Sequence, residues 1–88
     1  MPPIRVELFG IPRQRAGVAT AVVDADTVAD ALRLLRVQHA GLADLLNGDG
    51  ELSPHYLLSL DGVAFVRDLA APLADHAKLL LLSADAGG

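Results

Sequence analysis

DADTVADALRLLRVQHAG, residues 24–41, decides the fold. Before it the chain alternates with a period of two. Inside it Val28, Ala31, Leu32, Leu35 and His39 recur at helical spacing, with Leu34 at the margin of the stripe. Thr27 has the chemistry of an N-cap, and Asp30 three residues on is a weaker relative of the capping box. Asp26 and Asp30 also sit near the positive end of the helix dipole. Gly41 is a natural residue to follow the helix. The stretch predicts one amphipathic helix, residues 27–40, lying across a sheet.

Working outward, IRVELF (4–9) alternates and ATAVVD (19–24) is β-branched, so both predict strands. GIPRQRAG (10–17) between them carries Gly10, Pro12 and Gly17 and reads as a loop, which makes an N-terminal hairpin. LADLLNGDGELSPH (42–55) predicts a short helical turn and then a loop. YLLSLDG (56–62) predicts a strand that runs into an Asp61–Gly62 turn, with VAFV (63–66) returning. KLLLLS (78–83) predicts the last strand. Leu79–Leu82 does not alternate, as expected of a central strand or one whose outer face is also covered. The fold class is α+β: a mixed sheet of four or five strands with one main helix across one face. The first and last strands are expected to lie parallel in its middle. Val28, Leu32 and Leu35 are expected to pack on Val6, Leu8 and Leu80.

At 88 residues the chain has the length of one domain. Cysteine is absent, which excludes disulfides, thiolate catalysis and Cys-metal sites. The net charge is −4, unevenly spread. Residues 1–23 carry Arg5, Arg13 and Arg15 against Glu7, a net of +2; residues 24–88 carry four basic and ten acidic groups, a net of −6. Nucleic acid is a poor partner for that distribution. No apolar run is long enough to span a membrane and no signal peptide is recognisable, so a cytoplasmic location is expected.

No side-chain cluster supports an autonomous enzyme. His39, His55 and His76 are scattered and lack metal-site spacing, so structural roles are expected and no metal is assigned. Asp44, Asn47, Asp49 and Glu51 lack the spacing of a calcium loop and predict a solvated turn. Gly10 and Gly17 flank two arginines without a phosphate-loop pattern, and the Arg13–Arg15 loop is expected to meet solvent or an acidic patch. Ser59 and Ser83 have no neighbouring base.

What remains is LLLLSADAGG (79–88). Packing accounts for the leucines but not for Gly87 and Gly88, since ordering glycine carries a large entropic cost. A frayed end is one reading. The other is that the Gly88 carboxylate is the working group. A carboxylate becomes reactive once adenylation supplies a leaving group. Glycines at the end let the chain enter a narrow site that excludes water.

Four stretches carry a family resemblance: IRVELFG (4–10), TVADALRLL (27–35), YLLSLDG (56–62) and DLAAPLADHAKLLLLSADAGG (68–88). Across essentially its whole length the chain resembles the MoaD/ThiS family of ubiquitin-like, β-grasp sulfur carriers. Gly87 and Gly88 match the family's terminal diglycine. Pro72, Leu73 and Asp75 match its approach to the last strand. His76 stands where a glycine is usual, Ala77 where an acid is usual, and Leu82 and Ser83 where prolines are common.

The resemblance implies a β-grasp domain over 1–83 and a flexible tail over 84–88. Gly88 would be the covalently modified residue, first an acyl adenylate and then a thiocarboxylate. Gly87, Ala86 and Asp85 would give the tail access to an activating enzyme, with Asp85 outside the closed part of that site. The chain itself would be a carrier with no catalytic residues and no bound cofactor, ATP being used by the partner. The partners implied are an E1-like adenylyltransferase, a sulfur donor or sulfurtransferase, and a large catalytic synthase subunit. The 42–55 segment, longer than in thiamin-type carriers, resembles that of the small subunit of molybdopterin synthase or of the carriers of cysteine-type pathways, and molybdenum cofactor synthesis is the first expectation. Sulfur carriage for thiamin, cysteine or secondary-metabolite synthesis is the alternative. So is a ubiquitin-like modifier conjugated to amines, or a non-catalytic interaction module. A monomer, or only a weak dimer, is expected until the partner is present.

Overall fold

The computed structural model describes residues 3–84. Five strands form one mixed sheet: β1 (Pro3–Leu8), β2 (Thr20–Asp24), β3 (Tyr56–Leu60), β4 (Ala64–Phe65) and β5 (Lys78–Ser83). Their spatial order is β2-β1-β5-β3-β4. β1 and β5 run parallel at the centre, with Arg5 opposite Lys78 and Leu8 opposite Leu81. The other pairs are antiparallel. This is the β-grasp arrangement.

Helix α2 (Val28–Gln38) covers one face. Thr27 caps it as expected, its side chain accepting the Asp30 N–H at 3.2 Å. The Asp30 carboxylate turns to Arg33 at 2.9 Å and does not close the capping box. Two more N-terminal donors are met by the segment before β5: the Val28 N–H donates to the Ala71 carbonyl at 3.0 Å and the Ala29 N–H to Leu69 at 2.8 Å. Val28, Ala31, Leu32 and Leu35 are buried against Ile4, Val6, Leu8, Leu79 and Leu81 in one apolar core.

Three expectations need correction. Residues 10–17 are not a loop. Helix α1 (Gly10–Ala16) fills the β1–β2 connection, with Gly17 left-handed at φ 79° and its N–H donating to Arg13 at 2.9 Å. Three turn formers within eight residues masked a helix of two turns, since two of them mark its ends and Pro12 lies in its first turn, where a missing N–H costs nothing.

Leu80 is not in the core. Strand pleating sends Leu79 and Leu81 inward, while Leu80 and Leu82 lie half-buried on the opposite face. That outer face is therefore not fully covered, although β5 is central as expected.

Gly41 does not end α2. The helix is closed at His39, whose N–H donates to Leu35, and a 3₁₀ segment (Ala40–Leu45) follows directly. Gly41 is required for another reason: a Cβ there would lie 1.9 Å from the Arg15 carbonyl oxygen.

Strand β3 ends at Leu60 and runs into the expected turn, where Asp61 and Gly62 both take positive φ, 55° and 72°. The Asp61 carboxylate also accepts the Lys78 N–H at 2.8 Å, fastening the start of β5. His76, in the family's glycine position, has φ 66°, the backbone region that favours glycine. The acidic loop forms a turn closed by the Asn47 N–H donating to Glu51 at 2.7 Å.

Candidate functional site

The site is built where β5 hands the chain on. Ser83, its last residue, pairs with Tyr56 at the start of β3. One residue further, the Ala84 N–H donates to the His55 carbonyl at 2.9 Å. Ala84, with which the expected tail begins, is thus bonded to the residue that precedes β3. Asp85, Ala86, Gly87 and Gly88 lie outside the described residues.

Beneath this exit three side chains from three elements close a ring. Tyr56 is 1 % exposed, and its hydroxyl donates to Asp44 Oδ1 at 2.6 Å. Arg15 Nη1 donates to the Tyr56 hydroxyl at 2.9 Å and to Asp44 Oδ2 in a short ion pair. Hydrogen bonding from Tyr56, joined by Arg15 and opposed by partial burial, holds the Asp44 carboxyl below the usual carboxylate range. Burial, together with the Asp44 bond, pushes the Tyr56 phenol up. The bond to Asp44, with that to Tyr56, raises Arg15 further above an already high value. Ile11, Arg15, Asp44, His55, Tyr56 and Ser83 line a cavity of about 200 Å³ here.

Arg15 reaches Asp44 because α1 presses on the 3₁₀ segment at the Gly41 contact. Solvent or an acidic patch is what the sequence predicts around the Arg13–Arg15 stretch, and a solvated turn around Asp44; Arg15 meets the acid. The sequence did not bring Tyr56 to them. Tyrosine at the head of an otherwise aliphatic strand was the available signal, since a buried phenol needs a partner.

The sheet face opposite α2 forms the second part of the site. Register places Ser59 between Leu80 and Phe65, and Leu57 beside Leu82. Phe9 continues β1 in extended conformation, one residue past the Leu8–Leu81 pair, on the same face as Leu82. Phe65 is 69 % exposed and Phe9 41 %. An apolar strip therefore runs over the outer face toward the exit of β5. Its far end carries Arg5 and Lys78, the latter 3.5 Å from Glu7. Such a strip is the kind of surface that docks a protein partner.

His39 is half-buried, and His55 and His76 are exposed and far apart in sequence. Among the described residues no group of three His, Cys, Asp or Glu side chains could hold a metal ion, and no helix is long and apolar enough to cross a membrane.

Solved structures show what this architecture is similar to. The crystal structure of SAMP1 from Haloferax volcanii, a small archaeal modifier protein, matches with 31 % identity and a TM-score of 0.83, over 98 % of this chain and 99 % of that one. A chain of the Amycolatopsis orientalis BexX/CysO complex matches with 25 % identity and a TM-score of 0.80, over 97 % and 99 %. A putative molybdopterin converting factor subunit 1 from Pyrococcus furiosus shares the fold at 17 % identity and a TM-score of 0.77, over 94 % and 98 %. No family model and no curated protein matches the sequence.

Proposed function

The chain belongs to the MoaD/ThiS-like family of ubiquitin-like β-grasp carriers and modifiers, and on that premise we propose that it carries sulfur on Gly88. A partner of the E1-like class adenylates the Gly88 carboxylate with ATP, releasing pyrophosphate. Sulfide then displaces AMP to give the thiocarboxylate directly. Attack by a sulfurtransferase persulfide instead gives an acyl disulfide, from which a second thiol releases the thiocarboxylate by forming a disulfide with the transferase. The thiocarboxylate passes its sulfur to a biosynthetic product. The chain supplies no catalytic residue to these steps. It presents the terminus and the surface that the partners hold.

The observation that carries this reading is the placement of β5. It is the central strand, its outer residues Leu80 and Leu82 belong to the exposed apolar strip, and the sequence from its end leads in five residues to Gly88. Five residues reach at most roughly 17 Å. A partner seated on the strip can therefore receive the terminus without letting go of the domain. Gly87 and Gly88 leave the entering backbone without side chains, and Asp85 stays outside the closed site, because burying an unpaired carboxylate is costly.

Transfer to molybdopterin through a large synthase subunit is the first pathway to test. Thiamin, cysteine or secondary-metabolite synthesis are the next acceptors. The likeness to SAMP1, whose name marks it as a modifier, favours one second reading: conjugation of Gly88 to amines of other proteins.

Trapping with hydroxylamine tests the activation step. With ATP and an E1-like enzyme, the wild-type chain should yield a hydroxamate at Gly88, and a chain lacking Gly88 should yield none. No hydroxamate with any such enzyme encoded beside this chain, or one on an internal carboxylate, contradicts the proposal.

A further inference from the structure

We propose that the Arg15–Asp44–Tyr56 ring is a positioning device that sets where the chain leaves β5, and so the direction in which Gly88 is offered to an activating partner. The inference deepens the carrier reading and rests on it for the functional consequence. Its structural half stands alone.

The ring joins three elements of the fold. Arg15 lies in the last turn of α1, Asp44 in the 3₁₀ segment, and Tyr56 at the first position of β3. Each of the three is bonded to the other two. The tyrosine is the hinge of the arrangement. Its ring sits in the core, its hydroxyl is held by Asp44 and Arg15, and its backbone faces Ser83. The preceding residue, His55, accepts the Ala84 N–H. The last described backbone bond before the terminal residues is thus one residue away from the side chain that the ring fixes.

The Arg15–Asp44 ion pair on its own is a poor source of global stability. The Arg15 and Asp44 side chains are about half exposed, 46 % and 47 %, and ion pairs so placed contribute little to folding. What three mutual bonds supply is geometry: each removes freedom that the other two would leave. Arg15 is brought within reach because Gly41 admits the Arg15 carbonyl so closely. The lined cavity beside the ring leaves this corner accessible rather than buried under another layer. A rigid, partly open corner at the root of a working terminus suits a device that aims that terminus.

Tyr56→Phe is the primary test, because it keeps the core ring and removes only the hydroxyl. Amide hydrogen exchange on the isolated chain should show Ala84 exchanging about two- to tenfold faster, the ratio that loss of one ordinary hydrogen bond implies. Leu79 and Leu81 should keep their wild-type rates. Asp44→Ala should act in the same direction, and the double variant should do no more than the stronger single one. In ATP-dependent hydroxamate formation, kcat should fall severalfold while KM is unchanged, since the docking strip is untouched.

An unchanged Ala84 rate in both variants overturns the proposal. So does a uniform rise at all slow amides, which would mark a purely structural ring, or full kcat in a variant with a loosened Ala84. If the wild-type chain is never activated, the carrier reading fails instead, and the exchange data still decide whether the ring holds the exit.

Discussion

Adjacent leucines on β5 offer a direct test of which face does what. Leu81 is fully buried, facing α2, whereas Leu82 is half-buried on the outer strip. Leu81→Ala removes the same atoms as Leu82→Ala but leaves a cavity among close-packed neighbours that include Leu8 and Leu58. That loss is worth roughly 2–5 kcal/mol. A chain of this length has a total stability of about 4–13 kcal/mol, so the variant should be severely weakened. With a urea m-value of roughly 1–3 kcal/mol/M, its midpoint should fall by about 0.7–5 M. Leu82→Ala leaves no closed cavity and should cost below about 1 kcal/mol. The order reverses in function: folded Leu82→Ala should raise the KM for hydroxamate formation, since it thins the strip at the exit of β5. Urea titration followed by far-UV circular dichroism measures the first effect, and steady-state activation the second. Equal losses of stability, or a Leu82→Ala chain more damaged than Leu81→Ala, would refute the assigned faces.

Other perturbations test other contacts. Gly41→Ala should destabilise by about 3 kcal/mol or more, because the new Cβ meets a backbone carbonyl that no rotamer change can move; a melting temperature within experimental error of wild type contradicts the close approach. His76→Gly relieves a left-handed residue and should stabilise by less than about 1 kcal/mol once glycine's entropy is counted; clear destabilisation argues against that backbone. Asp44 has a lowered folded pKa, so its contribution to stability is present above the ordinary carboxylate pKa of about 3.9 and is lost as pH falls through the lower folded value. Asp44→Asn should flatten that part of the acid-unfolding curve, and an unchanged acid slope contradicts the assignment.

Much of this architecture was legible in the sequence because each element carries its own period. Thr27 through Leu35 announced the helix, its cap and its buried stripe. KLLLLS announced a central strand with the correct bounds. What failed was local information that only tertiary contact resolves. A run of four leucines carries no alternation, so nothing in it said that Leu79 and Leu81, rather than Leu80, face the helix. Gly10, Pro12 and Gly17 suit a loop and equally the two ends of a short helix. Gly41 looked like a helix stop, whereas it answers to the carbonyl of Arg15, twenty-six positions earlier. The ring was illegible for the same reason: Arg15, Asp44 and Tyr56 are brought together by the packing of α1 on the 3₁₀ segment, which no local pattern records. His76 is the converse case: its φ shows why glycine is usual there, and the histidine is the residue that departs from what the backbone favours.

Whether Gly88 carries sulfur is read most directly by intact-mass spectrometry. The purified chain is incubated with ATP, an E1-like activating enzyme and a sulfur donor, beside a chain lacking Gly88. The wild-type mass should rise by the difference between one sulfur and one oxygen atom, with fragmentation placing the change at the terminal residue, and the deletion should show no change. A wild-type mass that never changes, or a deletion that still gains sulfur, would contradict carriage on Gly88. Adducts of the chain on lysines of other proteins, without the sulfur exchange, would replace carriage by conjugation.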